Sequence, residues 1–168
     1  MSGTLKPRRI EPGPGQESAW DYPRPPRLEP SDRVIRVEFG GEVVAESKRT
    51  WRVLETSHPP VYYIPLDDVR EKFLEPSSRS SFCEWKGQAS YLSLIVNGNI
   101  SKDAAWFYPN PTKAFTPIRN YLAFFPSKVD ACFVDSELVQ AQAGDFYGGW
   151  VTSHVVGPFK GSAGTMGW

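Results

Sequence analysis

The fold is decided by the stretch VIRVEFGGEVV, residues 34–44. In its first half, Ile35, Val37 and Phe39 alternate with polar residues at the period of a β-strand that has one buried face. Gly40-Gly41 is a turn signal, and two valines continue the pattern beyond it. The stretch therefore predicts a β-hairpin and, with it, a domain built from antiparallel strands.

Further short strands are predicted along the chain, separated by Gly and Pro. They lie at 51–55, 61–64, 89–96, 104–108, 121–125 and 129–134. One short helix is expected from Asp67 to Leu74, because an aspartate at 67 or 68 can cap its start. We therefore predict a mainly β fold: a compact antiparallel two-sheet domain, tent or barrel-like, with one short helix.

The 168 residues are enough for one domain with a core. Seven of the sixteen prolines lie in the first thirty residues, where they remove backbone donors and disfavour helix. We predict an extended Pro-rich arm at 1–32 and a β domain at 33–143. A Gly- and aromatic-rich tail at 144–168 is expected to pack on the same domain.

Composition excludes several classes of function. The formal net charge is zero, so the sequence predicts no nucleic-acid partner and no membrane association. Cys83 and Cys132 are too few for a disulfide framework, and the N-terminal residues lack the apolar run of a secretory signal. A cytoplasmic protein is expected.

Two dense polar segments mark the candidate site. In the first, Cys83, Glu84, Trp85 and Lys86 precede Gly87, and the second runs from residue 55 to residue 63. Reactive and aromatic side chains packed beside predicted strands are typical of a polar small-molecule pocket. We therefore expect the two segments to face one another.

Three groups of side chains are candidates for this pocket. The catalytic candidates are Glu55 and Asp103 as proton acceptors, Lys86 as an anion-binding group, and Cys83 as a nucleophile with His58 as its base. Arg49 and Arg52 are further candidates for holding an anion. The candidates for a wall against a flat ligand are Tyr62, Tyr63, Tyr91, Trp106 and Tyr108. The alternative for the aromatic residues is core packing, and for Cys83 it is a buried, inert thiol.

The chain resembles the family called domain of unknown function 427, also labelled nucleotidyltransferase-like. Three ordered motifs between about residues 33 and 135 carry the resemblance. The first is Leu54-Glu55-Thr56-Ser57 with Pro59-Pro60-Val61-Tyr62-Tyr63-Ile64-Pro65 and Asp68-Val69; the second is Cys83 with Lys86-Gly87 and Ala89-Ser90-Tyr91; the third is Ala104-Ala105-Trp106 with Tyr108-Pro109, Tyr121, Ala123-Phe124 and Val129-Asp130. Many members carry Pro where this chain has Glu84, so any role of Glu84 would be confined to a subgroup.

The resemblance implies a mostly antiparallel fold of the two-sheet tent kind, as in methionine sulfoxide reductase B and the thalidomide-binding domain of cereblon. Many proteins of that class bind zinc through paired Cys-x-x-Cys knuckles, which this sequence lacks. Its His and Cys residues are scattered, so we predict no metal and no cofactor. The nucleotidyltransferase label is also poorly matched, because Asp135-x-Glu137 stands far from any Gly-rich helix start.

Three hypotheses follow for the function. The first is a pocket that hydrolyses or binds a phosphorylated or nucleotide-like compound. The second is a non-catalytic module that binds a ligand or a peptide. The third is an interaction protein, with a possible homodimer formed through the N-terminal arm or the C-terminal tail.

Overall fold

The computed structural model describes residues 6–144 and 146–168. Within them the chain forms fifteen β-strands and five 3-10 helices, so the protein is mainly β, as predicted. The strands are β1 Glu17–Ser18, β2 Arg27–Ser31, β3 Ile35–Phe39, β4 Glu42–Ser47, β5 Thr50–Leu54, β6 Val61–Tyr63, β7 Leu74–Cys83, β8 Gly87–Val96, β9 Asn99–Phe107, β10 Ala123–Phe124, β11 Ala131–Val134, β12 Glu137–Leu138, β13 Gln140–Ala141, β14 Trp150–Val151 and β15 Val155–Val156. The 3-10 helices are Ala19–Asp21, Leu66–Asp68, Glu71–Phe73, Lys113–Ile118 and Pro126–Lys128.

Three antiparallel sheets form the body of the domain. Their strand orders are β12-β11-β3-β4, β10-β9-β8-β7 and β2-β5-β6. Ile64 and Leu122 exchange two backbone hydrogen bonds, of 2.7 and 2.8 Å, which join the end of β6 to the start of β10. None of these sheets closes into a barrel within the described residues, and the tent arrangement stays a prediction.

The β3–β4 hairpin confirms the expectation from residues 34–44. Its strands pair across the Gly40-Gly41 turn, with Ile35 opposite Ser47 and Phe39 opposite Glu42. Ile35, Val37 and Phe39 are all buried, whereas Arg36 and Glu38 between them are half-buried. Removing each such apolar side chain from water contributes roughly 1.5–3 kcal/mol, which fixes the face that the hairpin turns to the core.

The predicted helix from Asp67 to Leu74 is replaced by two single turns followed by β7. The first turn ends at Asp68 and the second begins at Glu71. Between them, Val69 and Arg70 have extended backbone dihedrals, with ψ of 138° and 94°, and the backbone amide of Arg70 donates to the carbonyl of Val44 in β4, at 2.9 Å. Two extended residues interrupt the helical dihedrals, so a continuous helix does not form.

Both ends of the described chain lie against the sheets. Arg27–Ser31, in the predicted arm, forms β2 and pairs with β5, and Pro30 is accommodated because β2 is an edge strand. β1 pairs in parallel with β15 from the tail. The domain boundaries at residues 32 and 143 stay predictions. No helix in the described part of the chain is long and apolar enough to cross a membrane.

Candidate functional site

An open cavity of about 670 Å³ lies where four parts of the fold meet. They are the β5–β6 connection, the end of β9, the β7–β8 hairpin and the C-terminal segment, by which we mean residues 142–144 and 146–168. The lining residues are Val53, Glu55, His58, Pro59, Val61, Tyr63, Ser81, Phe82, Cys83, Glu84, Trp85, Lys86, Tyr91, Trp106, Tyr108, Phe125, Gln142, Phe146, Tyr147, Gly148 and Lys160. The two polar segments singled out in the sequence therefore face the same space.

The β7–β8 hairpin brings Cys83 and Lys86 to the cavity. Cys83 pairs with Gly87, which leaves a loop of three residues, and Gly87 adopts a positive φ of 107°. Three-residue hairpin loops commonly need such a residue after the turn, and glycine accepts it without strain. Thr112 donates twice to this loop. Its backbone amide donates to the Lys86 carbonyl at 3.0 Å, and its side-chain hydroxyl donates to the Trp85 carbonyl at 2.5 Å. The loop is thus anchored from outside the hairpin.

Segments near the two ends of the chain hold the turn that carries Glu55 and His58. The buried Ser57, at a positive φ of 71°, donates its backbone amide to the Ala19 carbonyl at 3.0 Å. Its own carbonyl accepts from the backbone amide of Lys160 at 2.9 Å. The N-terminal and C-terminal segments therefore position the same turn.

His58 is held in one tautomer by Gln142. The Gln142 side-chain oxygen accepts from the Gly149 amide at 3.2 Å, and its nitrogen donates to the Lys160 carbonyl at 2.6 Å. With the amide oriented in this way, the same nitrogen donates to His58 Nδ1 at 3.1 Å. The proton of the neutral ring is then on Nε2, which lies 3.7 Å from Glu55 Oε2. His58 is a hydrogen-bond donor here, which disfavours the predicted role as a base for Cys83.

The electrostatic field at His58 is positive. Burial lowers the pKa of His58 to about 4, and the charges of Lys160, Arg24 and Lys86 add to that effect. The imidazole is therefore neutral at pH 7. Burial, the largest cause, disfavours a charge of either sign, whereas the three cations favour an anion at this position.

The His58 pKa predicts a pH dependence of stability. The unfolded chain takes up this proton near its ordinary pKa of 6.5, and the folded protein takes it up only near 4. Stability is thus fully present above about pH 6.5 and decreases as the pH falls to 4, by about 3 kcal/mol at 1.36 kcal/mol per pKa unit. We expect His58→Asn, whose side-chain oxygen can replace Nδ1, to lose this part of the pH dependence in urea unfolding at pH 7, 5.5 and 4. An imidazole that titrates near pH 6.5 by NMR in the folded protein would contradict the assignment.

Two ammonium groups reach the cavity without a carboxylate partner in the described part of the chain. Lys86 and Lys160 are both half-buried, and no carboxylate oxygen lies within 4.0 Å of either Nζ among residues 6–144 and 146–168. Burial lowers the pKa of Lys86, whereas the polar groups of Tyr63, Cys83 and Glu55 raise it, and the balance lies above the ordinary value. Lys86 is therefore charged at neutral pH.

Four of the five aromatic residues predicted for the wall pack with one another in the core and also line the cavity. Trp106 donates its indole N–H to the Tyr63 hydroxyl at 3.1 Å, and burial raises the pKa of Tyr63. The ring of Phe125 stacks at 6.5 Å from that of Tyr91. Tyr63, Tyr91, Trp106 and Tyr108 are each less than a tenth exposed, so core packing and lining are roles of the same rings.

Four residues proposed for the site lie elsewhere, and each has a partner of its own. Arg49 forms two hydrogen bonds with Asp68, at 3.0 and 3.1 Å. Arg52 is held between Glu17 and Glu29, at 2.8 and 2.6 Å. Tyr62 packs in the hydrophobic core that contains Ile35, Val37 and Trp150.

Asp103 is the fourth, and it lies in β9 at the register shift between β8 and β9. It has a positive φ of 54° and accepts a short hydrogen bond from the Ser77 hydroxyl. Its backbone amide donates to the Ser93 hydroxyl, next to the register shift between β8 and β9. Asp103 therefore shapes the sheet and does not line the cavity.

The C-terminal segment supplies lining residues that the sequence analysis did not select: Lys160, Gln142, Phe146 and Tyr147. At Gly148 the backbone of this segment passes close to the Trp106 ring, and the glycine itself is a sequence signal for that contact. A Cβ atom at residue 148 would lie 2.4 Å from Cη2 of Trp106, so only glycine lets the backbone cross that ring. Lys160 carried no comparable signal.

The carboxylates considered for nucleotidyl transfer have other roles. Asp135 accepts from the Val34 amide and pairs with Arg33 at 2.8 Å. Glu137 accepts from the amide and hydroxyl of Ser153, each at 2.6 Å. Within the described residues, no group of three or more His, Cys, Asp or Glu side chains could hold a metal ion.

Comparison with known proteins agrees with the resemblance seen in the motifs. No curated protein matched the chain. A family model described as Domain of unknown function (DUF427) matches residues 27–135, which include β2 to β11 and most of the residues that line the cavity. The chain belongs to this family.

Proposed function

We propose that the cavity binds an anionic small molecule, such as a phosphorylated or nucleotide-like compound. The observation that carries the proposal is the pair of half-buried ammonium groups, Lys86 and Lys160, with no carboxylate of the described residues within 4.0 Å. An ammonium group that lines a cavity and has no carboxylate beside it can form charge-assisted hydrogen bonds with a bound anion. His58 adds an N–H donor next to them.

Glu55 offsets this positive field only in part. Its carboxylate raises the pKa of Lys86, but it also lies 3.5 Å from Arg24 Nε, a positive charge outside the cavity lining. Glu84, the other lining carboxylate, is exposed to solvent. The excess of positive charge therefore remains with the two lysines.

The size and lining of the cavity favour a whole organic ligand over an inorganic ion. Its volume of about 670 Å³ is in the range of small-molecule sites, which run to about 300–1,000 Å³. Beyond the lysines, much of the wall is aromatic. A phosphate group joined to a flat ring would use both features.

Thermal unfolding and calorimetry with four probes test the proposal: adenosine monophosphate, ribose 5-phosphate, pyrophosphate and adenosine. We expect the three phosphorylated probes to raise the unfolding temperature, since a ligand that binds only the folded state stabilises it, and adenosine to have little effect. Binding should weaken as salt is raised from 50 to 300 mM. Equal stabilisation by adenosine, or none by any phosphorylated probe, would contradict the proposal.

Hydrolysis is the second candidate, and the position of Glu55 favours it. Its carboxylate lines the cavity and is only partly exposed, so it can accept a proton from water. Release of inorganic phosphate in the same samples, lost in Glu55→Gln while binding is retained, would show catalysis. Binding of the probes without release of inorganic phosphate would mean that the protein is a non-catalytic binding module.

Two further expectations belong to this proposal. A reducing cytoplasm suits the free thiols of Cys83 and Cys132. A homodimer through the arm or the tail stays a prediction, to be measured by light scattering with and without ligand.

A further inference from the structure

The mouth of the cavity carries two large apolar side chains that are exposed to solvent. Phe82, at the end of β7, is 78 % exposed and Phe146, in the C-terminal segment, is 76 % exposed. Both also line the cavity, so they lie where it opens to solvent. Apolar surface at the rim of a pocket costs free energy until something covers it.

A short row of rings joins this mouth to the positive interior. The ring of Phe146 meets that of Tyr147 edge-on, at 5.1 Å between centroids. Tyr147 in turn lies 4.9 Å from the His58 ring and 5.8 Å from the Lys160 ammonium. One ring therefore separates the apolar rim from a cationic group, and a ligand of modest length can reach both.

The β7–β8 hairpin contributes the other exposed ring. Phe82 precedes Cys83 on the hairpin whose loop carries Lys86, and Phe82, Cys83 and Lys86 all line the cavity. The lining therefore combines two exposed phenyl rings with two half-buried ammonium groups. The opening of the cavity is thus apolar and its interior is positively charged. A ligand that fits both needs an apolar part and an anionic part.

We propose that the ligand is amphipathic: an anionic group bound between Lys86 and Lys160, joined to an aryl or other apolar group that Phe82 and Phe146 cover at the mouth. This inference rests on the proposed anion binding and adds the class of the remaining part of the molecule. Among phosphorylated compounds, we expect those with an apolar substituent to bind more tightly, because those with only polar substituents leave Phe82 and Phe146 exposed.

The test compares inorganic phosphate, phenyl phosphate and 2-naphthyl phosphate by calorimetry. We expect affinity to rise along this series, and Phe82→Ala or Phe146→Ala to weaken 2-naphthyl phosphate binding about tenfold while leaving inorganic phosphate unchanged. Ile100→Ala removes another apolar side chain, 69 % exposed, from the β9 end of the molecule and is the matched control. Because both phenylalanines are exposed, the unfolding temperatures of the variants should match that of the wild type.

The outcomes separate the two proposals. If the aryl phosphates bind no more tightly than inorganic phosphate, or if both phenylalanine variants bind them as the wild type does, the amphipathic ligand is refuted and anion binding stands. If none of the three probes binds, anion binding itself is refuted.

Discussion

Trp150→Ala is expected to destabilise the protein by about 3–5 kcal/mol, as large-to-small changes of buried aromatic residues do. Trp150 is fully buried, and its ring lies 5.3 Å from that of Tyr62. Its indole N–H donates to the Phe124 carbonyl at 3.0 Å, and its backbone amide donates to the Pro60 carbonyl at 2.9 Å. The alanine variant leaves a cavity and an unpaired buried carbonyl in the centre of the fold.

Urea and thermal unfolding measure this effect. A loss of that size should lower the unfolding temperature by on the order of 10 °C for a chain of this length. Trp150→Phe, which keeps a ring and loses only the donor and some volume, should fall between the wild type and the alanine variant. Met166→Ala, in the same C-terminal segment but 83 % exposed, is the matched control and should change stability by less than about 0.5 kcal/mol.

The result bears on the site as well as on stability. β14, which contains Trp150, directly follows Gly148 and Gly149, where the segment crosses Trp106 and contacts Gln142. A loss of less than about 1 kcal/mol in Trp150→Ala would mean that the C-terminal segment is only loosely attached. The cavity would then lack a fixed wall on that side.

The strands with clear alternation could be predicted from the sequence, and β7 could not. In β3, every second residue is buried, so the apolar pattern is visible. β7 is a ten-residue edge strand that is mostly half-buried or exposed and contains several serines, so no apolar face marks it. The helix expected from Asp67 rested on local signals alone, and the structure instead extends the backbone at Val69 and Arg70, where the Arg70 amide donates to Val44 in β4.

The candidate site could be predicted in part, for a similar reason. Glu55, Tyr63, Cys83 and Lys86 lie in two short segments, each dense in polar and aromatic residues, and the structure brings them to one cavity. Arg49 and Arg52 look equally available in the sequence, but carboxylates distant along the chain bind them. Lys160 was missed because its approach depends on the path of the C-terminal segment, which no local pattern encodes.

Lys86→Met is expected to weaken the binding of phosphorylated probes about ten- to a hundredfold, since a hydrogen bond to a charged group contributes roughly 1.5–3 kcal/mol. Methionine keeps the length and apolar stem of lysine and removes only the charge and the donors. The raised pKa of Lys86 means that the fold already favours its charged form, and its Nζ lies 5.9 Å from the centroids of the Tyr108 and Phe115 rings. The unliganded variant should therefore be folded and no more stable than the wild type, and its affinity is compared at a temperature well below its own unfolding transition.

Lys102→Met is the matched control, because Lys102 is exposed on β9 and does not line the cavity. It removes one positive charge from the protein and therefore reports any effect of net charge alone. Its affinity for the probes should stay within about twofold of the wild type, as is usual for a charge far from the binding site at physiological salt.

The most direct test of the central claim is therefore calorimetric titration of adenosine monophosphate into the wild type, Lys86→Met and Lys102→Met in the same buffer. The account predicts that affinity is lost in Lys86→Met and kept in Lys102→Met, with both variants folded. Equal affinity in all three proteins, or equal loss in the two variants, would contradict it.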